Sequence, residues 1–275
     1  MNTKKVLHHI LVPVAYILMV VANALANILP INGITTGAVS DSYPNLFAPA
    51  GITFAIWGVI YILLGAYTIY QVILINQKNN KLTNKENNKN RKGVVDKVNI
   101  YFVITSVVNT VWIFAWHYRQ ISLTVVLMLA LLLSLIKIAD ILAKQKFNVV
   151  DTLLINTPFA IYFGWITVAT IANITIWLVS VGWDGFGISQ DIWTVLILLV
   201  GAVIGISRGV KDNSVPYLLV FVWAYFGIYL KHISQIGFAS QYQSVIATLA
   251  ICGCAFVGVI IFTAWRSIIK PNEKH

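Results

Sequence analysis

The sequence predicts an all-α polytopic membrane protein, and three observations carry that expectation. The first is composition. Of 275 residues, 59% are apolar and only 10% charged, with a mean hydropathy of +0.81. Soluble domains carry about 25% charged residues, and disordered chains are far less apolar. The second is segmentation: eight mostly apolar stretches fill the chain, at about 7–29, 50–76, 99–118, 121–143, 152–180, 192–210, 214–236 and 242–266. Each reaches the roughly 20 residues that cross a bilayer as a helix. A membrane barrel needs strands of about ten residues with alternating polarity, whereas Leu123 to Ile136 is apolar nearly throughout. The third is charge segregation. With the N-terminus placed inside, 16 of the 19 Lys and Arg fall in inner segments: Lys4 and Lys5, the 78–97 stretch, Lys144 and Lys146, Arg208 and Lys211, and Arg266 to Lys274. The outer loops hold Arg119, Asp41, Asp184 and Asp191. By the positive-inside rule this predicts a cell-membrane protein with both termini cytoplasmic. The net charge of +10 is therefore spent on orientation and lipid contact, and nucleic acid is not an expected partner.

Taken in order, the segments differ in information content. The first has Lys4-Lys5, an apolar run and Ala24-Leu25-Ala26, features shared with a secretory leader; its length and Asn23 favour a retained span. The second reads Phe47-Ala48-Pro49, then Phe54, Trp57, Tyr61 and Gly65; the last three are four apart and share one face. The connection 76–96 is rich in Asn and Lys without apolar periodicity, which predicts a solvated linker beside anionic headgroups. The third span places Asn109 and Trp112 on one face, with Trp116 one turn on. The fourth is uniformly apolar except near its inner end, where Lys137 and Asp140 are spaced to pair. In the fifth, Tyr162, Trp165, Ala169, Asn173 and Trp177 form a stripe at steps of three or four. The sixth carries Gly201, Gly205 and Gly209, a ridge for close helix approach within the chain or with a second copy of it. The seventh runs Pro216, Trp223, Gly227, Lys231. Its Pro-to-Trp spacing matches that of Pro158 and Trp165, which suggests a distant internal repeat. Lys231, beside His232, is expected to snorkel to the outer interface. In the eighth, Cys252 and Cys254 flank Gly253 and read as small packing residues.

Singly, a membrane Trp or Tyr is an anchor, and an Asn joins two helices for about 0.6–2 kcal/mol. As a set, three interior faces with aromatics and a polar group predict a cavity for a flat, largely apolar ligand. These stripes resemble the TspO/translocator-protein family, also called tryptophan-rich sensory proteins. The family's second-helix pattern of Trp, Tyr four later and Gly or Ala four later again is matched by Trp57, Tyr61 and Gly65. Its Leu-Asn-x-x-Trp is matched by Val108-Asn109-Thr110-Val111-Trp112. Its Tyr-x-x-Trp-x-x-x-Ala-x-x-x-Asn-x-x-x-Trp is matched by Tyr162, Trp165, Ala169, Asn173 and Trp177. The chain departs from the family at Ala48-Pro49, where Pro-Pro is usual, at Phe54, three rather than four before Trp57, and at Ile161, where a proline is common.

The resemblance covers residues 7–180 and implies a TspO-like five-helix bundle over 1–180, with a three-helix transmembrane extension over 181–275. It implies a pocket under the outer loop 30–47 that takes tetrapyrroles such as protoporphyrin, sterols or synthetic aromatic ligands. The expected ligand-binding residues are Trp57, Tyr61, Asn109, Trp112, Tyr162, Trp165, Ala169 and Asn173. The expected role is receptor, sensor or carrier. A transporter using all eight helices, with Lys231 and Asn173 on a central path, is the alternative from another class, and a structural subunit of a membrane complex is a third. No enzyme is expected: the nine acidic residues lie mostly in loops, and there is no phosphate loop, nucleophile elbow or metal-ligand cluster. His8, His9, His117 and His232 fall at helix ends and form no facing pair for haem ligation. Neither cofactor nor metal is implied.

Overall fold

The computed structural model describes residues 6–76 and 85–269. Lys4, Lys5, Lys78, Lys81, Lys270 and Lys274, assigned inside by the sequence, lie outside them. Among the described residues there are no strands, and eight helices are long and apolar enough to cross a membrane. They are α1 (Leu7–Ile28), α2 (Gly51–Asn76), α3 (Lys85–His117), α4 (Ile121–Leu142), α5 (Val149–Ser180), α6 (Gln190–Lys211), α7 (Val215–Ile233) and α8 (Gln243–Ile269). Consecutive helices run in opposite directions. One end of the molecule carries the 30–50 connection and is called the lid end below. The other, the basic end, carries Arg91, Lys92, Lys144, Lys146, Arg208 and Lys211.

Prolines shape two of the spans. A π-turn at Leu7–Leu11 immediately precedes Pro13, and another at Thr152–Asn156 precedes Pro158. Proline has no N–H for the carbonyl four residues back, so the turn before it relaxes to the wider spacing. Asn148 caps α5, accepting a hydrogen bond from the Asp151 N–H at 2.8 Å.

Helices α1 to α5 close into a ring in the order α1, α3, α4, α5, α2. The extension attaches mainly through α7, which packs on α5 and on the 3-10 turn Gly51–Ala55 that opens α2; α6 adds a smaller contact with α5, and α6 and α8 pack on α7 and on each other. The glycine ridge of α6 is filled from within the chain. Gly201 faces Tyr225, Gly205 faces Phe221 and Gly209 faces Leu218, an antiparallel run down α7.

Two expectations are corrected at the basic end. The connection expected to be a solvated linker up to Asp96 is helical from Lys85, extending α3 beyond the membrane-spanning stretch. Tertiary partners explain why. Arg91 pairs with the buried Asp151 at 2.5 Å, beside Tyr70, whose hydroxyl donates to the same carboxylate at 2.8 Å. Asp96 pairs with the buried His8 at 2.6 Å. His8 also meets Gln71 and Asn99, and Tyr67 donates to Asn99 at 2.5 Å, so α1, α2 and α3 share one polar knot. The second correction concerns Asp140. Its carboxylate accepts from Arg208 of α6 at 2.7 Å rather than from Lys137, and Arg208 also holds Asp212 at 2.6 Å. A guanidinium spans two carboxylates with its forked donors, which an i,i+3 lysine cannot do.

A cavity of tryptophans beneath a tied lid

Above the ring, at the lid end, a cavity opens between α2, α3, α4, α5 and α7. Trp57 and Trp165 meet edge to face with centroids 6.0 Å apart, and Phe54 meets Trp165 in the same way at 6.2 Å. Trp112 and Trp116 are stacked 5.3 Å apart on the α3 side. Such contacts fix ring orientations and present flat apolar walls.

Five of the eight residues expected at the site line this cavity: Trp57, Trp112, Trp165, Ala169 and Asn173. Tyr61, Asn109 and Tyr162 do not; they form a layer behind it. Tyr61 stacks on Trp57 at 5.5 Å, and Tyr162 meets Trp57 edge-on at 6.2 Å. Asn109 accepts from Asn23 at 2.7 Å and donates to the Tyr162 hydroxyl at 3.4 Å, joining α1, α3 and α5. Gly65 leaves room for Tyr16, whose hydroxyl donates to the Tyr61 carbonyl. Trp177 lies outside the cavity, where its indole donates to Ser122.

Beyond the polar side chains of Thr36, Ser40 and Asn45, the buried lining atoms without a partner are all of one kind. Trp112 Nε1, Trp165 Nε1 and Asn173 Nδ2 are buried without a hydrogen-bond partner, while Asn173 Oδ1 is occupied by Thr124 at 3.1 Å. All three orphans are donors. Buried donors cost about 1–3 kcal/mol each when unmet, and in native proteins such groups are few.

Residues from two further sources complete the walls: α7, which was not anticipated, and the outer loop expected above the pocket. Ala224 and Ile228 come from α7, which the expected five-helix pocket did not include. Thr36, Ser40, Asn45 and Phe47 come from the lid, residues 30–50, with its short helix Thr36–Asp41. Ala224 adjoins Trp223 in a span whose pattern differs little from an ordinary packed helix. No sequence signal assigns it to the cavity.

The lid is tied on both sides. On the α3 side, His117 Nδ1 donates to the Ile31 carbonyl at 3.0 Å and its Nε2 faces Thr36 Oγ1 at 3.1 Å; Trp116 Nε1 donates to the Thr36 carbonyl. On the α7 side, His232 Nε2 donates to the Leu46 carbonyl at 2.9 Å and the Ala50 N–H to the Gly227 carbonyl at 2.9 Å, while Trp223 Nε1 donates to the Thr53 carbonyl at 2.9 Å in the turn just after the lid. Lys231 reaches Asp41 of the lid helix at 3.3 Å, at the surface and away from the cavity. With the lid down the cavity measures about 60 Å³. That holds a few waters and is well below the roughly 300–1,000 Å³ of small-molecule pockets.

Fold and cavity together define a class: a polytopic helical membrane protein with an aromatic chamber closed by a loop at one face. Within that class the chain belongs to the TSPO-like protein family, whose model matches residues 9–263. The match runs through all eight spanning helices, so the three C-terminal helices lie within the matched family pattern. No curated protein and no solved structure matches the chain.

Proposed function

We propose that the protein is a membrane receptor, sensor or carrier that takes a planar hydrophobic ligand into the tryptophan cavity. The observation that carries this reading is the set of three buried, unpartnered N–H donors among aromatic walls. A ligand that presents acceptor oxygens from a flat apolar body would meet Trp112, Trp165 and Asn173 and stack on the indole faces. A tetrapyrrole with carboxylate side chains fits this chemistry, and a sterol-like body with one oxygen fits it in part. Tyr61, Asn109 and Tyr162 serve the site by holding the walls from behind. Admission requires the lid to lift, because the closed volume is too small for either.

The test is titration of the detergent-purified protein with protoporphyrin and haem, followed by tryptophan quenching. The expected outcome is saturable micromolar binding that the Trp57→Phe/Trp165→Phe double variant loses. Equal binding by the variant, or none by either, sinks the reading. For the transporter alternative, which placed Lys231 and Asn173 on a central path, Asn173 lines the cavity while Lys231 pairs with Asp41 at the surface, which favours the receptor or carrier reading.

A further inference from the structure

At the basic end, a small space of about 20 Å³ lies between the end of α4, α5 and the turn that joins α6 to α7. Asn156 of α5 and Asp212 and Ser214 of the turn bring polar side chains to it. Tyr217 lines it too, but its hydroxyl is donated to Thr167 at 3.3 Å. Ser214 is 8% exposed, and its hydroxyl oxygen is buried without a hydrogen-bond partner. It stands at the N-cap of α7, yet its side chain caps nothing. Charge points the same way. A single guanidinium, that of Arg208, serves both Asp140 and Asp212, so one negative charge is left over. The Asp140 side chain meets water, whereas that of Asp212 is 12% exposed. Burial holds the Asp212 carboxyl above the ordinary carboxylate range even though Arg208 reaches one of its oxygens. Lys211, next in the chain, is exposed, and solvent screens its charge. Leu142 and Ala143 bring the negative pole of α4 to the same space. The end of α6 and the start of α7 oppose one another there and cancel.

We infer that this space is a binding site for one sodium ion, held by oxygens of Asp212, Ser214 and Asn156. Its size admits a single water or a bare small ion and excludes a headgroup. A water donates two hydrogen bonds and brings no charge. A cation takes several lone pairs at once and supplies the missing positive charge. The donors are hard oxygens with one carboxylate among them, and the described residues hold no cluster of His, Cys, Asp and Glu fit for a metal ion. That set suits an alkali ion better than calcium or a transition metal, and the small volume favours sodium over potassium. One ligand belongs to the five-helix ring and two to the extension, so the ion ties the two together at the end opposite the lid.

The experiment melts the detergent-purified full chain in sodium, potassium and choline chloride at equal ionic strength. The melting temperature of the wild type is expected to rise with sodium over choline, as binding to the folded state requires. Potassium is expected to need at least a tenfold higher concentration for the same rise. Ser214→Ala removes one ligand and leaves both pairs of Arg208 in place. Its half-saturating sodium concentration is expected to increase at least tenfold, with the melt in choline unchanged. Equal wild-type melts in sodium and choline mean that the space holds water only, and overturn the proposal. A sodium response that Ser214→Ala and Asn156→Ala both keep places the ion elsewhere and overturns it too, and an equal response to potassium overturns the assignment to sodium. A second measurement does not depend on stability. Saturable binding of radioactive sodium, read by scintillation proximity, is expected for the wild type and not for Ser214→Ala; none by the wild type, or equal binding by both, rejects the site.

Discussion

Asn173 shows how one side chain divides its work: its carbonyl oxygen is held by Thr124, while its amide N–H group points at nothing within hydrogen-bonding reach. Asn173→Leu keeps the volume, removes the orphan donor, and leaves Thr124 its bond to the Ile121 carbonyl. The expected result is a stability change within about 1 kcal/mol, since a buried unmet donor is lost together with one modest bond. Protoporphyrin affinity is expected to fall by about 2–10-fold, the worth of one hydrogen bond; an unchanged titration would remove Asn173 from the site. Gly227 is constrained differently. A Cβ there collides with the side chain of Thr53, at the seam where α7 meets the start of α2. Gly227→Ala is expected to cost about 1–3 kcal/mol by overpacking. Thr53→Ala, whose hydroxyl has no partner to lose, is expected to recover part of that in the double variant, a non-additivity readable from thermal melts.

At the scale of elements, the ion pairs differ in worth because they differ in burial. Asp151 is 2% exposed beneath Arg91, so Arg91→Ala strands a buried carboxylate. A loss of about 3–5 kcal/mol is expected, and adding Asp151→Asn is expected to return much of it; a melt unchanged by Arg91→Ala would show that the helical start of α3 does not depend on this tie. Lys231 and Asp41 are 27% and 66% exposed. Lys231→Met is therefore expected to change stability by less than about 1 kcal/mol and to leave ligand titrations unmoved. The first half of α3 illustrates what periodicity misses. Its charged, Asn-rich start, Lys85 to Lys92, has no apolar face before the buried Val94, Val95 and Val98, yet Arg91 and Asp96 find partners on α5 and α1 that no local pattern reveals.

For the whole molecule, eight alternating helices place the lid and Asp184 on one side of the membrane and Lys146 on the other. In a Cys254→Ser background, an impermeant maleimide is expected to label Asp184→Cys on intact cells and Lys146→Cys only after lysis. Labelling of both from outside would reject the orientation read from the basic residues. The same architecture makes the lid a shared property of the five-helix ring and the extension, since α3 ties one flank and α7 the other.

Membrane insertion, the number of spans and the aromatic stripes were legible in the sequence, because hydrophobic length and helical spacing are local quantities that need no knowledge of partners. The stripes also put Trp57, Trp112, Trp165, Ala169 and Asn173 on helix faces that the fold brings around one cavity. Which of the eight candidates line the cavity, and which stand behind it, was decided by how α1 inserts Asn23 against Asn109 and how Tyr61 and Tyr162 turn toward Trp57. The same holds for the pairing of Asp140 with Arg208, the filling of the glycine ridge by α7, and the cavity wall built from Ala224 and Ile228. These depend on which helices become neighbours across long stretches of chain. In an apolar medium that choice rests on close packing and a few polar contacts, which only the tertiary arrangement brings together.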